Sequence, residues 1–255
     1  MESNQWHIIS TRPLTGSLID EASAQHVLID DSHSFIQTEP ITDTTVHQQI
    51  QQLSQQNIIA AFTSMNAVEA VAAQCQQSPQ WNIYSIGHAT CQLVEQLFPN
   101  ATIAGTAAYG GQLAQAIIKD KPSKVYFFCG DQRRDELPSL LKACNITVEE
   151  IIVYKTLETP VRIECAYDGV LFFSPSAVHS FFSVNQPILQ AVYFAIGTTT
   201  AAAIQQHQIE NVIIAEEPSK EGLAKQAIAY FRTQKSIQSW VWRMTFYYEP
   251  YVENM

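Results

Sequence analysis

The chain repeats part of itself at long range. Residues 58–118 return, weakly but in register, at 168–228. Ser64, Ala67 and Val68 each meet the same residue type 110 positions later, at Ser174, Ala177 and Val178. At the same offset Gly87 lies over Gly197, and Leu113 and Ala114 lie over Leu223 and Ala224. A solenoid repeats every few tens of residues, so a period this long means two similar domains. In both copies an apolar run ends in a small hydroxyl residue and a helical pattern follows. Two such domains facing each other would form a cleft lined by matching loops.

A length of 255 residues suits two domains, and 46% hydrophobic residues make a globular chain. The net charge of -10 argues against nonspecific binding to nucleic acid or to an acidic membrane. It leaves room for an anionic small molecule, because a local site can oppose the global field. Five scattered cysteines (Cys75, Cys91, Cys129, Cys144, Cys165) have no C-x-x-C spacing, which points away from disulfides and zinc and towards a reducing compartment. The first residues have no basic start and no apolar core, so no signal peptide is expected. No apolar run approaches the ~18–20 residues of a membrane helix. The expected location is cytoplasmic.

Short apolar runs alternate with helix-period segments. Strands are expected at 7–11, 26–29, 58–62, 82–86, 101–104, 124–129, 147–153, 169–173, 191–196 and 211–215. Helices are expected at 66–76, 88–98, 110–119, 133–143, 176–184, 199–206 and 219–232, with a Gln-rich amphipathic helix over 47–57. Most strands are apolar on both faces, as in parallel sheets covered on each side. The alternation predicts α/β architecture, with two similar doubly wound domains and parallel sheets.

Counting strands sets the boundaries. The first copy, extended to Val153, has about five, and the second has about three. Residues 1–38 hold two more, which would complete a second five-stranded sheet. The expected organisation is therefore a discontinuous domain of 1–38 plus 161–235 and an inserted domain of 42–153. Residues 39–41 and 154–160 would be linker strands, with Pro40 and Pro160 suiting extended crossings. Residues 236–255 carry Trp240, Trp242, Phe246, Tyr247, Tyr248 and Tyr251 and fit neither copy. This aromatic extension is expected to pack on the body or on a second subunit.

In open α/β sheets ligands collect at the carboxyl ends of the strands. Thr63, Ser64 and Ser174 end strands. Thr90 and Thr198, Thr199 and Thr200 open helices after Gly87 and Gly197. A hydroxyl with free backbone N–H groups at a helix start is an anion site that needs no lysine. Plain capping explains any one of them equally well, because Ser and Thr are common N-caps. Matched sites in two domains favour several carboxylates or phosphates. After the strand at 124–129, Gly130 suits a tight turn. Arg133 and Arg134 could bind a carboxylate or form ion pairs with Asp135 or Glu136. Tyr154, at a domain crossing, could donate a proton to a leaving group or pack as a hinge aromatic. Rossmann and P-loop glycine fingerprints, metal-spaced histidines and a nucleophile elbow are all missing.

These residues resemble the uroporphyrinogen-III synthase family. The resemblance runs through Ser10–Pro13, Phe62–Ala70, Ile86–Thr90, Phe128–Pro138, Val153–Thr156, Leu171–Ser176, Ala195–Ala201 and Ala215–Ser219, in order, over residues 8–232. It implies two α/β domains joined by a two-stranded linker. It implies closure of hydroxymethylbilane, with inversion of its last ring and loss of water, to uroporphyrinogen III in haem biosynthesis. No metal or organic cofactor is implied. Tyr154 matches the family's proton donor to the departing hydroxyl, and Thr90, Ser174, Thr199 and Thr200 match its cleft residues. Thr63, Ser64, Gly130, Ser176 and Gly197 lie in the matched stretches and complete the substrate-binding set. Expected partners are the tetrapyrrole substrate and the preceding pathway enzyme, with no nucleic acid and no membrane span. The chain would be a monomer or a weak dimer through 236–255. Three places depart from the pattern: the short polar segment 14–24, Asn145 where a turn glycine is comfortable, and the aromatic extension. A noncatalytic two-domain protein that closes on an anionic small molecule, and a scaffold that uses the aromatic tail, are the alternatives.

Overall fold

In the computed structural model the described residues are 5–247, with side chains described to residue 234. They form β1 (Trp6–Ser10), α1 (Gly16–Ala24), β2 (Val27–Asp30), β3 (Ile36–Pro40), α2 (Thr44–Ser54), β4 (Ile59–Phe62), α3 (Met65–Ala72), β5 (Asn82–Ile86), α4 (His88–Leu97) and β6 (Thr102–Ala107). These are followed by α5 (Gly110–Lys119), β7 (Lys124–Gly130), α6 (Glu136–Ala143), β8 (Thr147–Glu158), β9 (Gly169–Phe172), α7 (Pro175–Phe182), β10 (Val192–Ala195), α8 (Thr198–Gln205), β11 (Val212–Ile214) and α9 (Lys220–Tyr247). The chain divides into two compact units. The outer unit uses residues up to Gln37 and from Glu158 on, and the middle unit is Thr38–Leu157.

The outer unit holds a sheet in the order β11-β10-β9-β1-β2, parallel throughout. The middle unit holds β6-β5-β4-β7-β8 in the corresponding order, again parallel, with β3 added beyond β8. Strands β4 and β9, at the centres of the two sheets, are the repeated pair. The same fold is therefore written twice. In the outer copy the two strands that close the sheet come first in the chain. Ile41 N–H donates to the Val153 carbonyl and Thr159 N–H to the Phe35 carbonyl, so β3 runs antiparallel to the end of β8.

Alternation along each strand separates two apolar layers per sheet. Ile9, Val170, Phe172 and Tyr193 face α7 and α8, where Ala177, Val178, Phe181 and Ile204 meet them. Ile8, Leu171, Phe173 and Phe194 face α1 and α9 through Leu18, Ala22, Leu223 and Ile228. In the middle unit Phe62, Ile83, Phe128, Ile151 and Val153 pack under α2, α3 and α4. Ala61, Tyr84, Val125 and Phe127 pack under α5 and α6. Phe62 stacks on Phe128 with ring centroids 5.2 Å apart, and Phe128 in turn lies 5.3 Å from Trp81. The Trp81 indole N–H donates to the Leu53 carbonyl at 2.9 Å, so this buried ring leaves no polar atom unpaired.

Several elements differ from the sequence expectation. Strand β8 is continuous with the expected linker strand and runs to Glu158, with β3 paired along it. Helix α1 forms in the polar segment at the cost of burying only Leu18 and Ala22. Helix α9 does not stop at Arg232. No glycine or proline lies between Gly222 and Pro250 to break it. The aromatic extension thus continues a helix as far as Tyr247. Its side chains, and residues 248–255, lie outside the described residues. Asn145 has φ +60°, the left-handed conformation that asparagine tolerates.

Phe62 and Phe172 occupy matched places and are both fully buried. Each Phe→Ala change should cost about 3–5 kcal/mol in urea unfolding. Leu189→Ala, at a residue 83% exposed, should stay within about 0.5 kcal/mol of the parent.

Candidate functional site

The carboxyl ends of β7 and β4 stand side by side in the middle sheet, and a phenol from β8, the strand beside β7, bridges them. Strand β8 pairs with β7 in register up to Cys129↔Ile152. It then skips one residue, so that Gly130 stands opposite Tyr154. Without the skip, Val153 and Tyr154 would point to opposite faces. With it, Val153 is fully buried and Tyr154 packs against the same apolar layer. The Tyr154 ring lies over Gly130. A Cβ placed at Gly130 would sit 2.5 Å from the Tyr154 Cζ and 2.8 Å from its hydroxyl. No side chain larger than hydrogen fits there. The ring thereby reaches past β7 to β4, where the Tyr154 hydroxyl donates to the Ser64 Oγ at 3.2 Å.

Ser64 is the N-cap of α3. Its backbone is extended, and its Oγ also accepts the Asn66 N–H at 3.2 Å. The Tyr154 backbone is fastened as well. Its carbonyl accepts the Asp131 N–H at 3.2 Å, and the Asp131 carboxylate accepts the Thr156 N–H at 2.9 Å. Burial, the largest influence, pushes the Tyr154 phenol above its ordinary value, and the hydrogen bond to Ser64 opposes that rise. The result is a neutral phenol, half-buried, with a fixed position and a proton to give.

Four helix starts carry the remaining candidates. In the middle unit Ser64 caps α3 and Gly87 precedes α4. In the outer unit Ser174 caps α7, its Oγ accepting the Ala177 N–H at 3.2 Å, and Gly197 precedes α8. Gly87 has φ +71°, which favours glycine, whereas Gly197 is extended backbone open to any residue. Both turns produce the same exposure pattern. Thr90 and Thr200, third in their helices, are buried, while His88, Ala89, Thr198 and Thr199 are exposed. Thr63, Ser64, Ser174 and Ser176 are half-buried. Of the threonines at the two glycine turns, Thr198 and Thr199 are exposed, and Thr90 and Thr200 are each buried within their own helix start.

Gly130 ends β7 just ahead of the turn at 131–132, and its φ is not positive, so that turn does not require a glycine there. Its role is to admit the tyrosine ring. Arg133 lies ahead of α6, which begins at Glu136, and is engaged by Asp135 and Glu150. Arg133 therefore follows the ion-pair alternative, with Glu150 on β8 as the partner that sequence proximity did not suggest. Arg134 is exposed. Asp131 was also missed, because its part is a backbone lock that no side-chain pattern announces. Among the described residues no group of three or more His, Cys, Asp or Glu is placed to hold a metal ion.

Known proteins resemble this chain in sequence and in fold. The family model "Uroporphyrinogen-III synthase HemD" matches residues 32–225. The uroporphyrinogen-III synthase of Saccharomyces cerevisiae is 26% identical over 168 residues, 55% of this chain and 61% of that protein. The match thus spans about six tenths of the yeast protein's length. The crystal structure of uroporphyrinogen-III synthetase from Helicobacter pylori superposes with a TM-score of 0.62 at 16% identity, covering 89% of this chain and 100% of that one. A mutant uroporphyrinogen III synthase from Thermus thermophilus gives 0.59 at 14% identity, covering 90% and 99%. At such identities these two structures establish a shared fold.

Gly130→Ala should push the Tyr154 ring away from Ser64 at a cost of about 1–3 kcal/mol. With burial relieved, the phenol should titrate nearer the ordinary value of about 10. NMR of ring-labelled tyrosine checks this, with Tyr154→Phe assigning the signal. An unmoved titration would mean that the ring does not depend on the glycine.

Proposed function

Because the chain belongs to the uroporphyrinogen-III synthase family, we propose that it closes hydroxymethylbilane to uroporphyrinogen III, inverting the last pyrrole ring and releasing water. The observation that carries this reading is the neutral Tyr154 phenol, held over Gly130 at the end of the middle sheet.

In the proposed reaction the Tyr154 hydroxyl gives its proton to the departing hydroxyl of the substrate. The C–O bond breaks, water leaves, and the pyrrole chain becomes a cationic azafulvene. The transient tyrosinate recovers a proton from solvent, which a half-buried position allows. The substituted carbon of the last ring then attacks the cation first, which sets the inverted order. The protein's remaining work is to hold the chain in the folded shape and to exclude uncontrolled closure.

The substrate's carboxylates would be met by hydroxyls and backbone N–H groups rather than by lysines. The helix starts at Thr63-Ser64, at Gly87 to Thr90, at Ser174 to Ser176 and at Gly197 to Thr200 supply them, with Gly130 serving the substrate site by seating the phenol. A chain of net charge -10 can bind an anion in this way, since the start of a helix meets an anion with backbone N–H groups and a favourable dipole. Hydroxymethylbilane also closes unaided, so direct contact with the enzyme that supplies it would limit that loss. All five cysteines are free, which supports a reducing, cytoplasmic setting. No described helix is long and apolar enough to cross a membrane.

The parent protein should consume hydroxymethylbilane faster than it closes alone, and Tyr154→Phe should reduce kcat by about 100-fold or more. A raised phenol pKa keeps the acid form as pH rises. Parental turnover should therefore hold up to about pH 10 and fall only above it. Full turnover by a folded Tyr154→Phe protein would remove the proton-donor role.

A further inference from the structure

Ser64 presents an unusual hydroxyl. It caps α3, yet its oxygen also receives the phenol of Tyr154, so one atom takes two donors: the Asn66 N–H and the Tyr154 O–H, each at 3.2 Å. Tyr154 comes from β8 and Ser64 from the end of β4, and Gly130 between them leaves the gap open. The matched cap in the outer unit, Ser174, accepts the Ala177 N–H. The strands that take the places of β7 and β8 there, β1 and β2, end at Ser10 and Asp30. The phenol is what distinguishes the two caps, so capping alone does not account for the contact at Ser64.

We propose that Ser64 is a positioning residue for Tyr154, tying the phenol oxygen to the N-terminus of α3 and supporting the phenolate that forms when its proton passes to the substrate. This rests on Tyr154 as the proton donor. The tie has two physical effects. It holds the phenol oxygen at one point beside the start of α3. It also places the Ser64 hydroxyl where it can turn its own O–H to the phenol oxygen, which becomes negative when the proton leaves, while the Asn66 N–H still holds the serine oxygen. Ser64 then acts on the rate through Tyr154. A residue that gripped a substrate carboxylate would act on binding instead.

The test is a double-mutant cycle read together with the ionisation of Tyr154. Ser64→Ala should lower kcat by about tenfold, the size of one hydrogen bond, with little change in KM. Ser64→Thr, which keeps the hydroxyl, should recover most of it. In a Tyr154→Phe background Ser64→Ala should add no further loss. Independently of turnover, the NMR titration of ring-labelled Tyr154 should move to higher pH in Ser64→Ala. It should stay in place in Ser174→Ala, which loses only the matched cap. Multiplying losses with a raised KM and an unmoved Tyr154 titration would overturn the proposal and leave Ser64 only the carboxylate contact of its helix start. Unimpaired turnover in Tyr154→Phe would instead remove the proton-donor reading, a result separable from the behaviour of Ser64.

Discussion

The approach of the Tyr154 ring to Gly130 is the constraint on which the site depends. A side chain at position 130 would have to share the space of the ring, and even a methyl group would meet the Tyr154 Cζ at 2.5 Å. The one-residue skip between β7 and β8 is equally necessary, because it turns Tyr154 onto the face that Val153 already occupies. Glycine, bulge and cap together carry a phenol across three neighbouring strands. Each part is cheap alone. A bulge loses a little ladder pairing, a terminal glycine loses some chain order, and a serine cap is common. Their coincidence at one sheet end is what the proposed acid role uses and what an aromatic that merely packs would not need.

The duplicated architecture explains why the groups proposed to bind anions come in matched sets. One strand–turn–helix design gives a capped start at Ser64 and again at Ser174. A second gives a glycine turn at Gly87 and again at Gly197. The burial patterns of the turns coincide residue by residue, down to the inward threonines Thr90 and Thr200. Only the middle unit adds the phenol. On this account the duplicated parts supply binding, and the unmatched residues Gly130 and Tyr154 supply chemistry.

Much of the fold was legible because its strands are buried on both faces. Runs such as Val125 to Cys129 and Val170 to Phe173 read as parallel strands from composition alone, and β5 and α5 fall at the expected residues. What escaped was set by tertiary partners. Strand β3, Ile36–Pro40, is polar, short and on an edge. It is a strand only because the end of β8 lies beside it. Helix α1 has too few apolar residues to show a stripe. The hydroxyl and glycine candidates were visible as residue types at strand ends. Their geometry was not, since neither a bulge nor the empty space over Gly130 leaves a periodic trace. Arg133 illustrates the limit. Its partner Glu150 comes from a strand seventeen positions away, and nearby Asp135 was the only one of its two partners that sequence could offer.

The central claim is that this chain directs ring closure instead of merely binding a tetrapyrrole. The most direct measurement is the isomer composition of the product. Hydroxymethylbilane would be generated in place, the products oxidised, and the type I and type III porphyrins separated by chromatography. The account predicts that type III dominates. Type I alone from well-folded protein, as forms without protein, would contradict it.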